Sequence, residues 1–270
     1  MGKTDPRELD PWFWSHYDTA AGIVVSLVPP ACLQRGRTIV DFGCGDGATA
    51  LGVASRVEAA VIGVDLYRSF DRLSGFVATN LGAKELPPNL SFRQNELGEP
   101  LPFEGGSVDL VYSWSVFEHV ADARGILSEL HRICRRGAHL FIQIEPLFYS
   151  PYGSHLRRLV DEPWAHLVKT EEAYLARAAS ARDEVPLEEQ DVLYRTHEFE
   201  ALKRNLIAEF RNLNRITVQG LLDAISQAGF EIEWKKLMST DLEPPQALAR
   251  LYPIELLKND QVVVLARNAP

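Results

Sequence analysis

The chain is short of cysteine, of basic charge and of long apolar runs. Its three cysteines, Cys32, Cys44 and Cys134, cannot all pair and show no metal-ligand spacing. That excludes a disulfide-stapled scaffold, and a reducing, cytoplasmic setting is expected. Lys and Arg total 28 against 37 Asp and Glu, a net charge of −9. A general nucleic-acid binder would show a basic excess, so no nucleic-acid partner is expected. Ala20 to Val28 is apolar but far too short to cross a bilayer, and no membrane partner is expected. The first residues, Met-Gly-Lys-Thr-Asp-Pro, match neither a signal peptide nor the myristoylation pattern, since Pro6 stands where Ser or Thr is wanted. What remains is ordinary globular material, 46% hydrophobic and 24% charged over 270 residues. That is enough for one large domain or a domain with an insertion.

The informative stretch is Thr38 to Gly47, T-I-V-D-F-G-C-G-D-G. Thr38, Ile39 and Val40 read as a buried parallel strand ended by Asp41. Gly43, Gly45 and Gly47 make a loop without bulky side chains around Cys44, and Ala48 to Val57 reads as a helix. Strand, glycine loop and helix start form a geometry for a small polar ligand, because glycine lets the backbone turn and approach closely. A second strand, Val61 to Val64, ends in Asp65, placed to accept hydrogen bonds from ribose hydroxyls. The spacing G-x-G-x-G differs from the dinucleotide pattern G-x-G-x-x-G, and no Lys-Ser/Thr follows for a phosphate loop. The letters D-F-G at 41–43 lack the rest of the kinase signature set.

The pattern D-x-G-x-G-x-G resembles motif I of the class I S-adenosylmethionine-dependent methyltransferases, of the small-molecule and ubiquinone-biosynthesis type. Asp65 falls where that family keeps its ribose-binding acid. The resemblance covers roughly residues 10–145 and 217–267. It implies S-adenosylmethionine as cofactor, with S-adenosylhomocysteine as product. The alternation of strands and helices predicts an α/β, doubly wound parallel sheet. The resemblance adds a Rossmann-like sheet of seven strands, mostly parallel, with helices on both faces and an antiparallel last strand.

Further site residues follow from it. Tyr17, in the aromatic cluster Trp12-Phe13-Trp14-Tyr17, is the candidate to cover the methionine end, while Trp12 and Phe13 are expected to pack on the sheet. Leu66 adjoins the ribose acid. Asn95, with Glu96 beside it, stands at the third strand tip, where the family bonds the adenine amino group. Ser113 and Trp114 end the fourth strand, Val108 to Trp114, and are taken as cofactor contacts. Glu118-His119 follows at the edge where ligands of open parallel sheets bind. Ala121 to Arg136 reads as an amphipathic helix stopped by Gly137, and His139 to Ile144 as the fifth strand, ending at Glu145.

Three divisions are expected: an N-terminal cap at 1–36, a cofactor-binding core at 37–145 and 217–270, and an α-rich insertion at 146–216. A connection of some seventy residues is far beyond the usual handful. It is read as a lid over the acceptor, or as a surface for a homodimer, and the two are compatible. Glu145, Tyr149, Tyr152 and Trp164 are the acceptor-side candidates. Methyl transfer from a sulfonium to a hydroxyl needs alignment and a base, and histidine suits that near neutral pH. His155 leads the candidates, followed by His166 and His119, with Tyr149, Glu145 and His197 behind them. No metal is expected, since Glu145, His155 and His166 match no named ligand pattern. The expected function is methyl transfer to a small-molecule acceptor at oxygen. The alternatives are transfer to nitrogen or carbon, a non-catalytic cofactor-binding subunit, and a nicotinamide oxidoreductase.

Overall fold

A computed structural model describes residues 10–182 and 199–269. His197 lies outside the described residues. The centre is a seven-stranded sheet of order β3-β2-β1-β4-β5-β7-β6. Its strands are β1 (Thr38–Phe42), β2 (Ala60–Asp65), β3 (Leu90–Gln94), β4 (Val108–Trp114), β5 (Cys134–Ile144), β6 (Phe230–Ser239) and β7 (Asn259–Asn268). β1 pairs in parallel with β2 and β4, β2 with β3, and β4 with β5, while β7 runs antiparallel to β5 and β6. The expected Rossmann-like sheet with an antiparallel last strand is borne out.

The central strands are apolar on both faces because helices cover both. Val40, Val111, Leu140 and Ile142 face α5 (Ala123–Ile133) and α9 (Val218–Gln227) through Leu127, Leu130, Leu221 and Ile225. On the other face Ile39, Leu110, Tyr112 and Phe141 meet α2 (Ala21–Leu27) and α3 (Ala48–Ala54) through Ala21, Val24, Ala50 and Val53. Each fully buried large side chain contributes roughly 1.5–3 kcal/mol. α9 is capped by Thr217, whose hydroxyl accepts the Gly220 N–H at 3.0 Å.

Two local readings are corrected. The helix expected to run to Arg136 ends at Ile133, and β5 already begins at Cys134. Pairing of Val108 with Cys134 draws this stretch into the sheet, Arg135 reaches Asp109 at 2.5 Å, and the register shift before His139 is absorbed near Gly137, at φ 76°. The second concerns the cap, where Trp12, expected on the sheet, reaches Asp46 of the glycine loop. α1 (Pro11–Trp14) continues through a π-helical stretch, Ser15–Ala20, into α2, and buried Phe13 packs on Ala48 and Leu51 of α3 and on Leu73 and Val77 of α4 (Leu73–Leu81).

The described part of the insertion has a core of its own. Phe148, Leu156 and Leu159 pack with α7 (Glu171–Ala179) and α8 (Phe199–Asn212) through Tyr174, Ala178, Leu202, Leu206 and Phe210. At its exit, Asn214 donates its backbone N–H to the Glu118 carbonyl at 2.6 Å and its side-chain amide to the Val120 carbonyl at 2.8 Å. A short helix, α6 (Ala165–Val168), precedes α7, and α10 (Gln246–Ala249) and α11 (Ile254–Lys258) occupy the connector between β6 and β7. Among the described residues no helix is long and apolar enough to cross a membrane.

Candidate active site

The glycine loop is strapped to the tip of β2. Gly43 and Cys44 donate their N–H groups to the Val64 carbonyl at 2.9 and 3.2 Å, and Gly45 donates to Asp65 Oδ2 at 2.9 Å. Gly43, Gly45 and Gly47 all have φ in the left-handed region, at 79°, 53° and 83°. A Cβ on Gly43 would strike Val116 at 2.5 Å and one on Gly47 would strike Phe92 at 2.7 Å, whereas one on Gly45 would meet nothing within 4 Å. The loop therefore packs tightly below and leaves open space at Gly45, which suits close approach of a ligand to the backbone. Asp65 Oδ1 accepts the Tyr67 N–H at 2.9 Å, so each oxygen keeps a lone pair for a second donor.

Beneath the loop, Asp41 is buried beside the Tyr112 phenol, and its Oδ2 has no hydrogen-bond partner among the described residues. Burial, with the carboxylates of Asp65 and Asp46 nearby, pushes its pKa up to about 8. Burial likewise pushes the Cys44 thiol up, leaving it unreactive beside Gly63. Asn95 donates its amide to the Glu96 and Glu99 carbonyls at 3.2 and 3.3 Å, which leaves Oδ1 free to accept. Leu66 and Glu96 are exposed beside it.

Ser113 and Trp114 end β4 as expected. Ser113 is fully buried and donates to the Phe42 carbonyl at 3.1 Å, which ties β4 to β1. Trp114 is half-buried on the opposite sheet face, near Tyr112 and Trp234. Tyr17 stacks on Phe13 at 5.3 Å and stands edge-on to Trp14 at 5.6 Å. Trp12, assigned only to packing, is the aromatic that reaches the loop, donating its indole N–H to Asp46 Oδ2 at 3.0 Å.

A second cluster lies past the tip of β4, where the insertion closes on the sheet. Glu118, His119 and His155 bring one side-chain donor each to within 4.8 Å of one another. The rings of His119 and His155 meet edge to face at 5.2 Å. His155 hydrogen-bonds the Pro146 carbonyl through one ring nitrogen, and its Nε2 is buried without a partner among the described residues. Proline offers only an acceptor there, so Nδ1 carries the proton and Nε2 keeps a lone pair. Burial, reinforced by His119 and His166, brings the His155 pKa down to about 3. Its backbone sits at φ 60°, and Ser115, at the β4 tip, sits at φ 51°. Such conformations are uncommon outside glycine and concentrate at functional sites. Glu118, which the sequence did not single out as a chemical group, is buried, and neither carboxylate oxygen is bonded to another described residue. Burial holds it well above the usual carboxylate range, and the Glu145 and Glu209 carboxylates add to the effect. The one signal for Glu118 in the sequence is the polar pair Glu-His directly after an apolar strand.

Beside the cluster, exposed Glu145 accepts from Gln143 at 3.2 Å and from Gln261 at 2.8 Å, and buried Gln143 accepts the Ser115 N–H at 2.9 Å. Tyr149 and Tyr152 are half-buried, the first against Tyr252 and the second under Arg157. Trp164 is not brought to this cleft. It is buried with Leu248 and Leu257 and donates to the Leu257 carbonyl at 3.1 Å, which pins the insertion to the β6–β7 connector. His166 is likewise withdrawn. It packs between Phe148 and Tyr174, bonds the Phe148 carbonyl at 2.7 Å, and is brought by burial to a pKa of about 4. The insertion's own apolar core claims His166 and the β6–β7 connector claims Trp164, which is why their polar neighbours in the sequence misled.

Residues 40–142 match the family described as "Methyltransferase domain". A "Probable tocopherol O-methyltransferase, chloroplastic" from Oryza sativa subsp. japonica is 30% identical over 120 residues, covering 44% of this chain and 32% of that protein. A ubiquinone biosynthesis O-methyltransferase from Acinetobacter baylyi is 28% identical over 106 residues, covering 39% of this chain and 42% of that one. The chain thus spans less than half the length of these curated relatives. Among solved structures, geranyl diphosphate C-methyltransferase from Streptomyces coelicolor A3(2), in complex with Mg2+, geranyl diphosphate and S-adenosyl-L-homocysteine, aligns with a TM-score of 0.54 at 15% identity, over 93% of this chain and 78% of that one. The [4+2]-cyclase SpnF aligns with a TM-score of 0.55 at 14% identity, over 93% of this chain and 80% of that one. These two likenesses concern the fold.

Proposed function

We propose that the chain, whose residues 40–142 match a methyltransferase-domain family, is a class I S-adenosylmethionine-dependent methyltransferase and transfers a methyl group to a hydroxyl oxygen of a small-molecule acceptor. The observation that carries the reading is the pairing of an open glycine loop at Gly45 with an unpartnered Asp41 oxygen beneath it and Asp65 beside it. This set fits the cofactor's ribose and ammonium. Asp65 has a lone pair on each oxygen for the ribose hydroxyls, and Asp41 offers a buried carboxylate to the ammonium. Asn95 Oδ1 accepts from the adenine amine, and the Leu66 side chain lies against the base. S-adenosylmethionine supplies, when bound, a methyl on a sulfonium whose departure leaves a neutral thioether.

The chain's own part is alignment and proton handling. Glu145, Tyr149 and Tyr152 line the acceptor side, and the insertion at 146–216 excludes water as a lid. His155 Nε2, neutral at physiological pH, would take the proton of the acceptor hydroxyl while that oxygen is held in line with the methyl that the cofactor would supply when bound. Fixing Nδ1–H on the Pro146 carbonyl selects the tautomer this needs. The acidic side chains of Glu145 and Glu209 beside buried Glu118 favour a neutral acceptor over an anionic one.

The test is calorimetric titration of the purified chain with S-adenosylhomocysteine, with NADH run in parallel. Micromolar binding of the former alone is expected. Binding of NADH alone, or of neither, would overturn the reading. Hydroxylated small molecules are then screened for methyl transfer.

A further inference from the structure

We propose that Glu118, His119 and His155 form a binding site for one divalent first-row transition ion of the class that takes imidazole and carboxylate donors, zinc and cobalt among them. The proposal rests on the reading above only in taking this cleft to face the acceptor. Four observations carry it. The three donor atoms lie within 4.8 Å of one another although they come from the β4 tip and from the insertion. His155 presents a buried Nε2 with no partner among the described residues, while its other nitrogen is held on the Pro146 carbonyl, the arrangement that orients a ligating imidazole. Glu118 is 3% exposed, and neither of its oxygens is bonded to another described residue. A buried carboxylate left this way is costly unless a cation accompanies it. The ring of His155, whose backbone lies in the left-handed region at φ 60°, meets that of His119 edge to face at 5.2 Å.

The donor set selects the ion. Two imidazoles and one carboxylate suit zinc and its first-row neighbours at about 2.0–2.2 Å, whereas magnesium and calcium favour oxygen donors. Closing the set from 4.8 Å requires a small side-chain movement, and exposed His119 has room to make it. Its exposure also leaves one side of the site open toward the cleft. Glu145 and Glu209 add negative charge around the position without entering the donor set. Ion and proton are alternatives for the same His155 lone pair, so occupancy would substitute Lewis-acid activation of the acceptor for the base.

The experiment is titration of the metal-stripped full chain with Co(II), followed by visible absorption and by calorimetry, with S-adenosylhomocysteine titrated into the same preparation. One Co(II) per chain, with a visible d–d band, is expected. His119→Ala, an exposed change, and Glu118→Gln, an isosteric one, should each weaken binding by about 100-fold or more. Absence of binding in the wild-type chain would overturn the proposal, as would binding that survives both variants unchanged. If the nucleoside binds and cobalt does not, the ion site falls and the methyltransferase reading stands. If cobalt binds and the nucleoside does not, the reverse holds.

Discussion

The loop at the tip of β1 and the cluster past the tip of β4 occupy the same edge of one sheet and are built by opposite means. The first is backbone: glycines at 43, 45 and 47 are bonded to the end of β2 within one contiguous stretch. The second is side chain: Glu118 and His119 from the sheet meet His155 from the insertion, and Glu145 is braced by Gln143 and by distant Gln261. The loop is a fixed geometry that glycine alone permits. The cluster is a set of buried, under-satisfied polar groups whose energetics depend on what they bind. One region specifies shape and the other specifies chemistry.

The sharpest attempt to break this contrast is Gly45→Val. No atom lies within 4 Å of the new Cβ, so the fold should survive, at a cost of roughly 1–3 kcal/mol for a branched residue at positive φ. S-adenosylhomocysteine binding should be lost, and a folded variant that still binds would mean the loop is not the cradle. His155→Ala probes the other region. It should leave nucleoside affinity unchanged while kcat falls about 100- to 10,000-fold for a hydroxyl acceptor. A fall under about tenfold would point to a nitrogen nucleophile instead. Asp65→Ala comes next, weakening nucleoside binding by roughly 1.5–3 kcal/mol because the ribose loses a charged acceptor; equal affinity by calorimetry would remove Asp65 from the ribose role.

The smallest effect is a pH dependence at Asp41. Its pKa in the free protein is raised to about 8, so it is mostly protonated at pH 7. The stability this group lends is full below its unfolded value near 4 and is lost as pH rises through about 8. Pairing with an ammonium requires the carboxylate, so binding at pH 7 should release a proton, and affinity should climb toward about pH 8 and then level. Calorimetry at pH 7 in two buffers of different ionisation enthalpy reads the proton directly, and identical heats would rule out the pairing.

The same contrast explains what the sequence could say. The alternating strands and helices up to β5 were legible because glycine spacing, apolar runs and the Asp65 tip are local signals, while the antiparallel last strand came only with the family resemblance. The start of β5 was not, because Arg135 and Arg136 extend a helical pattern while Asp109, far away in sequence, pulls the segment into the sheet. In the site, Asp41, Gly45 and Asp65 could be picked by spacing. The enclosure of Trp164 and His166 was not legible, since nothing local revealed that Phe148, Tyr174 and Leu257 would surround them. Glu118 was passed over because its meaning comes from His155, which only folding brings near.

The private core of the insertion has a consequence for how such a chain can change over generations. Phe148, Tyr174, Leu206 and Phe210 are satisfied by one another, and at this exit Asn214 bonds two backbone carbonyls of the turn after β4. Carbonyls are present whatever side chains surround them, so this joint tolerates variation on either side. On the function proposed above, a new acceptor preference can arise inside the cassette while the sheet beneath it is inherited intact.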